Sequence, residues 1–126
     1  MNYSRRKTTT VTIGDVKLGS DYPIRLQSMT STSTMDTEGS IAQCKRICDN
    51  GADIVRLTAQ GVREAENIGV IRKSLHESGY TTPLVADIHF KWNFHFIQHF
   101  SCFFKNREVA CASHYNTYYR FHILLF

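Results

Sequence analysis

Beyond residue 90 this 126-residue chain contains no glycine, no proline and no aspartate. All seven glycines and both prolines lie in the first ninety residues. Glycine and proline punctuate folded chains, because turns need unusual backbone angles or a preset φ. The shortage therefore divides the chain into a regularly punctuated part, residues 1–90, and a tail of a different kind, residues 91–126. Other scarcities narrow the function. Four cysteines (Cys44, Cys48, Cys102 and Cys111) are too few for a disulfide scaffold and follow no common zinc spacing. No apolar run of about 18 residues occurs, so no membrane span is expected. The N-terminal MNYSRRKTTT lacks the apolar stretch of a signal peptide, and a reducing cytoplasm is the expected compartment.

Basic charge is also thin where a fold would display it. The formal net charge is +4, but residues 1–90 hold 11 Lys and Arg against 10 Asp and Glu, and the tail holds 4 against 1. The excess belongs to the tail, so no nucleic-acid partner is expected. The tail is rich in aromatics instead, with 11 of the 15, and has four of the six histidines. His95 and His99 at i, i+4 are its only regular metal-ligand spacing, and no metal ligand is assigned there.

The first ninety residues are well patterned. In TTTVTIGDVKLG, Val11 and Ile13 alternate with polar neighbours, Gly14-Asp15 makes a turn, and Val16 and Leu18 resume: a short β-hairpin. PIRLQSMT predicts a strand of about seven residues. STSTMDTEGSIAQCKRICDNG supplies capping residues and then a helix with Ile41, Cys44, Ile47 and Cys48 on one face, closed at Asn50-Gly51. ADIVRLTA is a second strand. GVREAENIGVIRKSLHESGY is a second helix, with Ala65, Ile68, Ile71 (or Arg72) and Leu75 at helical spacing. Pro83 opens a third strand, LVADIHF. Strand, helix, strand, helix, strand predicts an α/β fold of βα units around a parallel sheet. The strands are rich in Val, Ile and Leu, as strands covered on both faces should be.

Polar residues at the strand ends are the functional candidates. Period-two alternation puts Val85, Asp87 and His89 on one face, and Ile54, Arg56 and Thr58 together. In IRLQSMT it groups Gln27 with Met29 and Ser28 with Thr30. Charged groups inside buried strands are costly without partners, and α/β folds tolerate them where strands open onto a ligand, at their carboxyl ends. The planar fork of Arg56 suits phosphate. A structural Arg56–Asp87 ion pair between neighbouring strands is the equal alternative. His89 alone fits a satisfied structural histidine better than a catalyst. Cys44 and Cys48 share one helix face and fit small core residues better than a metal pair.

QSMTSTSTMD (27–36), GADIVRLT (51–58) and PLVADIHF (83–90), in this order and spacing, resemble the N-terminal region of the 4-hydroxy-3-methylbut-2-enyl diphosphate synthase family, the iron–sulfur enzymes of the non-mevalonate isoprenoid pathway. RRKTTTVTIGDVKLGSDYPIRLQSMT extends the resemblance to roughly residues 4–90. The resemblance implies the N-terminal part of a (β/α)8 TIM barrel that binds 2-C-methyl-D-erythritol 2,4-cyclodiphosphate at its strand ends and opens the ring reductively. It also implies a [4Fe–4S] cluster in a separate domain, flavodoxin or ferredoxin as electron donor, and a homodimer. Carried over by motif, Arg56 would contact phosphate, Asp87 and His89 would line the pocket, and Gln27, Ser28, Met29 and Thr30 would form its floor or rim. No catalytic residue and no cluster ligand is carried over, and Cys102 and Cys111 match none of the family's cluster motifs.

The departure begins at Lys91. The family continues with a helix of ordinary composition and an RxNPGN-like motif, whereas this chain runs KWNFHFIQHF. A complete barrel takes about 250 residues, and three strands with two helices are recognisable here. The expectation is a truncated family member: residues 1–90 a partial barrel, residues 91–126 an aberrant tail, frameshifted or unrelated, and the chain inactive alone. The competing expectation is a non-catalytic diphosphate-binding or interaction fragment.

Overall fold

The computed structural model describes residues 6–88 and the strand backbones of residues 109–114 and 121–125. The chain begins with a two-stranded antiparallel hairpin, β1 (Val11–Ile13) and β2 (Val16–Leu18), turned at Gly14-Asp15 as the alternation predicts. A parallel series follows: β3 (Gln27–Met29), α1 (Thr37–Asp49), β4 (Ile54–Ala59), α2 (Val62–Glu77) and β5 (Leu84–Ile88). Two further strands, β6 (Val109–His114) and β7 (Phe121–Leu125), lie in the tail where sequence pattern predicts none. β6 pairs with β5 in parallel and β7 pairs with β6 antiparallel, giving the sheet order β3-β4-β5-β6-β7.

Both helices end where glycine permits it. Gly51 and Gly79 follow the last helical turns with φ of 85° and 86°, a left-handed conformation that costs a side-chain-bearing residue steric strain. In each case the glycine N–H and the next N–H reach back to the last turn: Gly51 to Cys48 and Ala52 to Ile47, Gly79 to His76 and Tyr80 to Leu75. The start of α1 is capped by Asp36, whose Oδ1 accepts from the Gly39 N–H at 3.0 Å, and Glu38 in the first turn favours the positive helix end.

Register decides the two faces of the sheet. Val55 lies beside Leu84 and Leu57 beside Ala86. These residues, with Ala59 and Ile88, pack on Cys44 of α1 and on Ala65, Ile68, Ile71 and Leu75 of α2. Complete burial of each such Leu or Ile stabilises the fold by roughly 1.5–3 kcal/mol. On the opposite face, Ile54 and Val85 at the starts of β4 and β5 pack against Ile13, with Val11, Val16 and Leu18 around them. The hairpin therefore closes the amino ends of the strands. With helices on one face and the hairpin across the bottom of the other, the second face is the one a TIM barrel turns inward.

β3 is shorter than its sequence suggests, three residues instead of about seven. A strand is defined by its partners, and β4 is its only neighbour in the sheet among the described residues. Ladder bonding tapers at each end, where Asp53 and Ile54 N–H donate to Leu26 O and Thr30 N–H donates to Arg56 O. Leu26 is 62% exposed and Ile24 82%, so the apolar residues before β3 face outward beside an open sheet edge. No helix among the described residues is long and apolar enough to cross a membrane.

Candidate functional site

Above the layer of Ile54 and Val85, the inward face becomes polar. Arg56 follows Ile54 by two residues on β4, and Asp87 follows Val85 by two on β5, so alternation returns both to that face. Arg56 Nη2 donates to Asp87 Oδ2 in a direct ion pair. Asp87 is 2% exposed, whereas the Arg56 side chain keeps 20% of its surface. The carboxylate is thus the buried partner and the guanidinium the accessible one. Arg56 Nε is also buried and has no hydrogen-bond partner among the described residues. A guanidinium anchored through one nitrogen, with further donors uncommitted, suits an anion approaching from the carboxyl ends of the strands.

The QSMT stretch divides. Met29 stands in register with Arg56 and shares its face, and Thr30 N–H donates to Arg56 O at 2.9 Å. Ser28 is in register with Val55, on the helix-facing side, and with Leu26 and Gln27 it lines an open groove of about 400 Å³ against Gln43, Arg46 and Ile47 of α1. Gln27, Ser28 and Met29 are exposed and Thr30 is buried. The Thr30 hydroxyl has no partner among the described residues. His89 lies outside the described residues.

The loop from β3 to α1, residues 30–36, borders Arg56 and is held by side chains that sequence pattern did not single out. Gln43 Oε1 accepts from the Ser31 and Thr32 N–H groups at 3.1 and 3.0 Å, and its Nε2 donates to Ser31 Oγ at 3.0 Å. Thr34 Oγ1 donates to Thr58 O at 2.6 Å, tying the loop to the end of β4. Asn67 on α2 donates from Nδ2 to Thr34 O and accepts at Oδ1 from Thr37 Oγ1 at 2.9 Å. The available signal was polarity: Gln43 and Asn67 interrupt otherwise ordinary helices at positions that face the loop.

The donor groups present do not fit an iron–sulfur cluster. Cys44 is fully buried in the apolar core, and that burial, followed by the neighbouring Cys48, pushes its thiol up to about 12. A cluster ligand must be a thiolate, and this environment disfavours one. Among the described residues no three His, Cys, Asp or Glu side chains gather as metal ligands.

The family model of the GcpE TIM-barrel domain matches residues 8–106. The chain is 61% identical over 89 residues to 4-hydroxy-3-methylbut-2-en-1-yl diphosphate synthase (flavodoxin) of Parabacteroides distasonis, covering 71% of this chain and 15% of that protein. It is 60% identical over 89 residues to the corresponding enzyme of Phocaeicola vulgatus, covering 71% and 14%. Against the chloroplastic, ferredoxin-named synthase of Arabidopsis thaliana it is 52% identical over 86 residues, covering 68% and 12%. The chain spans about 15% of the length of the bacterial relatives it matches. With more than half of its residues matched, and the fold and strand-end polarity in agreement, the chain belongs to the GcpE TIM-barrel family.

Proposed function

We propose that residues up to 90 form part of the substrate-binding barrel of a 4-hydroxy-3-methylbut-2-en-1-yl diphosphate synthase, and that this wall binds a cyclic diphosphate. The observation that carries the proposal is the Arg56–Asp87 pair at the carboxyl ends of adjacent strands. Asp87 fixes the orientation of the guanidinium, and the remaining Arg56 donors receive a phosphate oxygen. A charge-assisted, preoriented contact of this kind is worth more than an exposed one, because little is reorganised when the anion arrives. His89 and the QSMT stretch would complete the rim. On this proposal the ligand meets β3, β4 and β5, and the tail, although β6 continues the sheet beside β5, supplies no ligand contact.

The reductive chemistry belongs to the full-length enzymes. Flavodoxin and ferredoxin, named for the relatives, would serve there as electron donors; a homodimer and a cytoplasmic setting are part of the same proposal. The second reading is a non-catalytic diphosphate-binding role for this chain, which keeps the Arg56–Asp87 site and needs no cluster.

Calorimetric titration of the purified chain with 2-C-methyl-D-erythritol 2,4-cyclodiphosphate tests the proposal. Binding is expected, weakened about tenfold or more by Arg56→Met and less by Arg56→Lys, which keeps charge but loses the fork. Equal binding by Arg56→Met would overturn it. Iron analysis of the same preparation is expected to find no stoichiometric metal, and a stoichiometric cluster would reinstate redox chemistry on this chain.

A further inference from the structure

The β3–α1 loop, TSTSTMD, has neither glycine nor proline to preset its course. It is shaped by polar contacts, and these fall into two sets. Gln43 and Ser40 belong to α1, the helix the loop leads into; Ser40 Oγ donates to Ser33 O at 3.0 Å and lies 3.1 Å from Thr32 Oγ1. Such contacts set the local turn. Asn67 belongs to α2, 33 residues from Thr34, and reaches the loop from the next βα unit.

Both ends of the Asn67 carboxamide are used, Nδ2 on Thr34 O and Oδ1 on Thr37 Oγ1. Thr34, itself buried, passes the connection to Thr58 O at the end of β4. Thr58 lies two residues beyond Arg56 on the same face. Asparagine is a poorer helix former than alanine in a helix interior, so its place in α2 is justified by these contacts rather than by propensity. The loop also opens with the buried Thr30 hydroxyl, which has no partner among the described residues. An unmet buried hydroxyl is destabilising, a cost that a ligand meeting it would remove.

We propose that Asn67, acting through Thr34, is a positioning residue that holds the β3–α1 loop against the end of β4 and shapes the side of the diphosphate pocket next to Arg56. The proposal rests on the assignment of Arg56 as the phosphate contact. A loop already fixed when the anion arrives does not have to be ordered by it, and affinity gains by that difference.

The test pairs hydrogen exchange on residues 30–36 with calorimetric titration by the cyclic diphosphate and by inorganic pyrophosphate. The proteins are the wild-type chain, Asn67→Ala, Thr34→Val, Thr34→Ser and, as a core control, Ile71→Val. Asn67→Ala and Thr34→Val are expected to speed exchange in 30–36, keep the protection of β4 and β5, and weaken anion binding about tenfold. Thr34→Ser restores both, while Ile71→Val lowers the unfolding midpoint and leaves affinity unchanged. Unaltered loop exchange in Asn67→Ala overturns the proposal, as does faster exchange with unaltered affinity, or an equal loss of affinity in Ile71→Val. A wild-type chain that binds neither anion overturns the diphosphate assignment itself. A wild-type chain that binds, beside an Asn67→Ala chain that binds equally well, overturns the role of Asn67 alone.

Discussion

At Arg56 and Asp87 the ion pair serves two demands that compete. Taking a carboxylate as deep as Asp87 out of water costs several kcal/mol, and the attraction of Arg56 repays it only while the pair is intact. Arg56→Met is therefore expected to destabilise the chain by about 3 kcal/mol, because it strands the buried carboxylate. The double substitution Arg56→Met with Asp87→Leu is expected to recover most of that loss, since apolar residues of similar size replace buried pairs without penalty. Urea unfolding of the three proteins measures both steps. Recovery in the double variant would show that stability does not require the pair, which leaves ligand binding as its reason. Sequence alternation was enough to place both residues on one face. It left an ion pair and a phosphate contact as alternatives, because period two gives direction and not distance. In the structure one guanidinium nitrogen is engaged by Asp87 and another is not, so the two roles are compatible.

At the scale of elements, helix faces and helix ends were the most legible features. The stripe of Ala65, Ile68, Ile71 and Leu75 is buried, and Arg72, set beside Ile71 as its alternative, is buried as well. The long stem of arginine lets it cover apolar surface while its head reaches a carbonyl, here Tyr80 O at 3.4 Å. Gly51→Ala and Gly79→Ala are each expected to cost about 1 kcal/mol, since nothing obstructs an added Cβ and the left-handed backbone alone resists it. Asp36→Ala should cost about 1 kcal/mol through the lost cap. Thermal unfolding of the single variants checks all three. The length of β3 was not legible, and the polarity of Gln43 and Asn67 marked them without naming their loop partners. Each depends on a partner distant in sequence, Asn67 and Thr34 being 33 residues apart, and periodicity within one segment carries no information about it.

At the scale of the whole molecule, the sheet among the described residues ends at β3 on one side and at β7 on the other. The β3 side presents Ile24 and Leu26 beside open backbone groups, a combination that promotes pairing with another chain. Sedimentation should show self-association that grows with concentration, and Ile24→Lys with Leu26→Lys should suppress it without shifting the unfolding midpoint by more than about 1 kcal/mol. The partial barrel was recognisable from motifs in order. The two tail strands were not, because a segment without glycine or proline offers no turn signals from which to bound a strand.

The hairpin that closes the bottom of the barrel has a consequence in time. Its strands are joined by two residues and can pair within microseconds of leaving the ribosome. The residues that Ile13 packs against are Ile54 and Val85, which are synthesised much later. At about 5–20 residues per second, Val85 follows Ile13 by several seconds. For that interval the hairpin is a finished floor without walls, and its apolar side must stay out of other associations until the second and third parallel strands arrive to claim it.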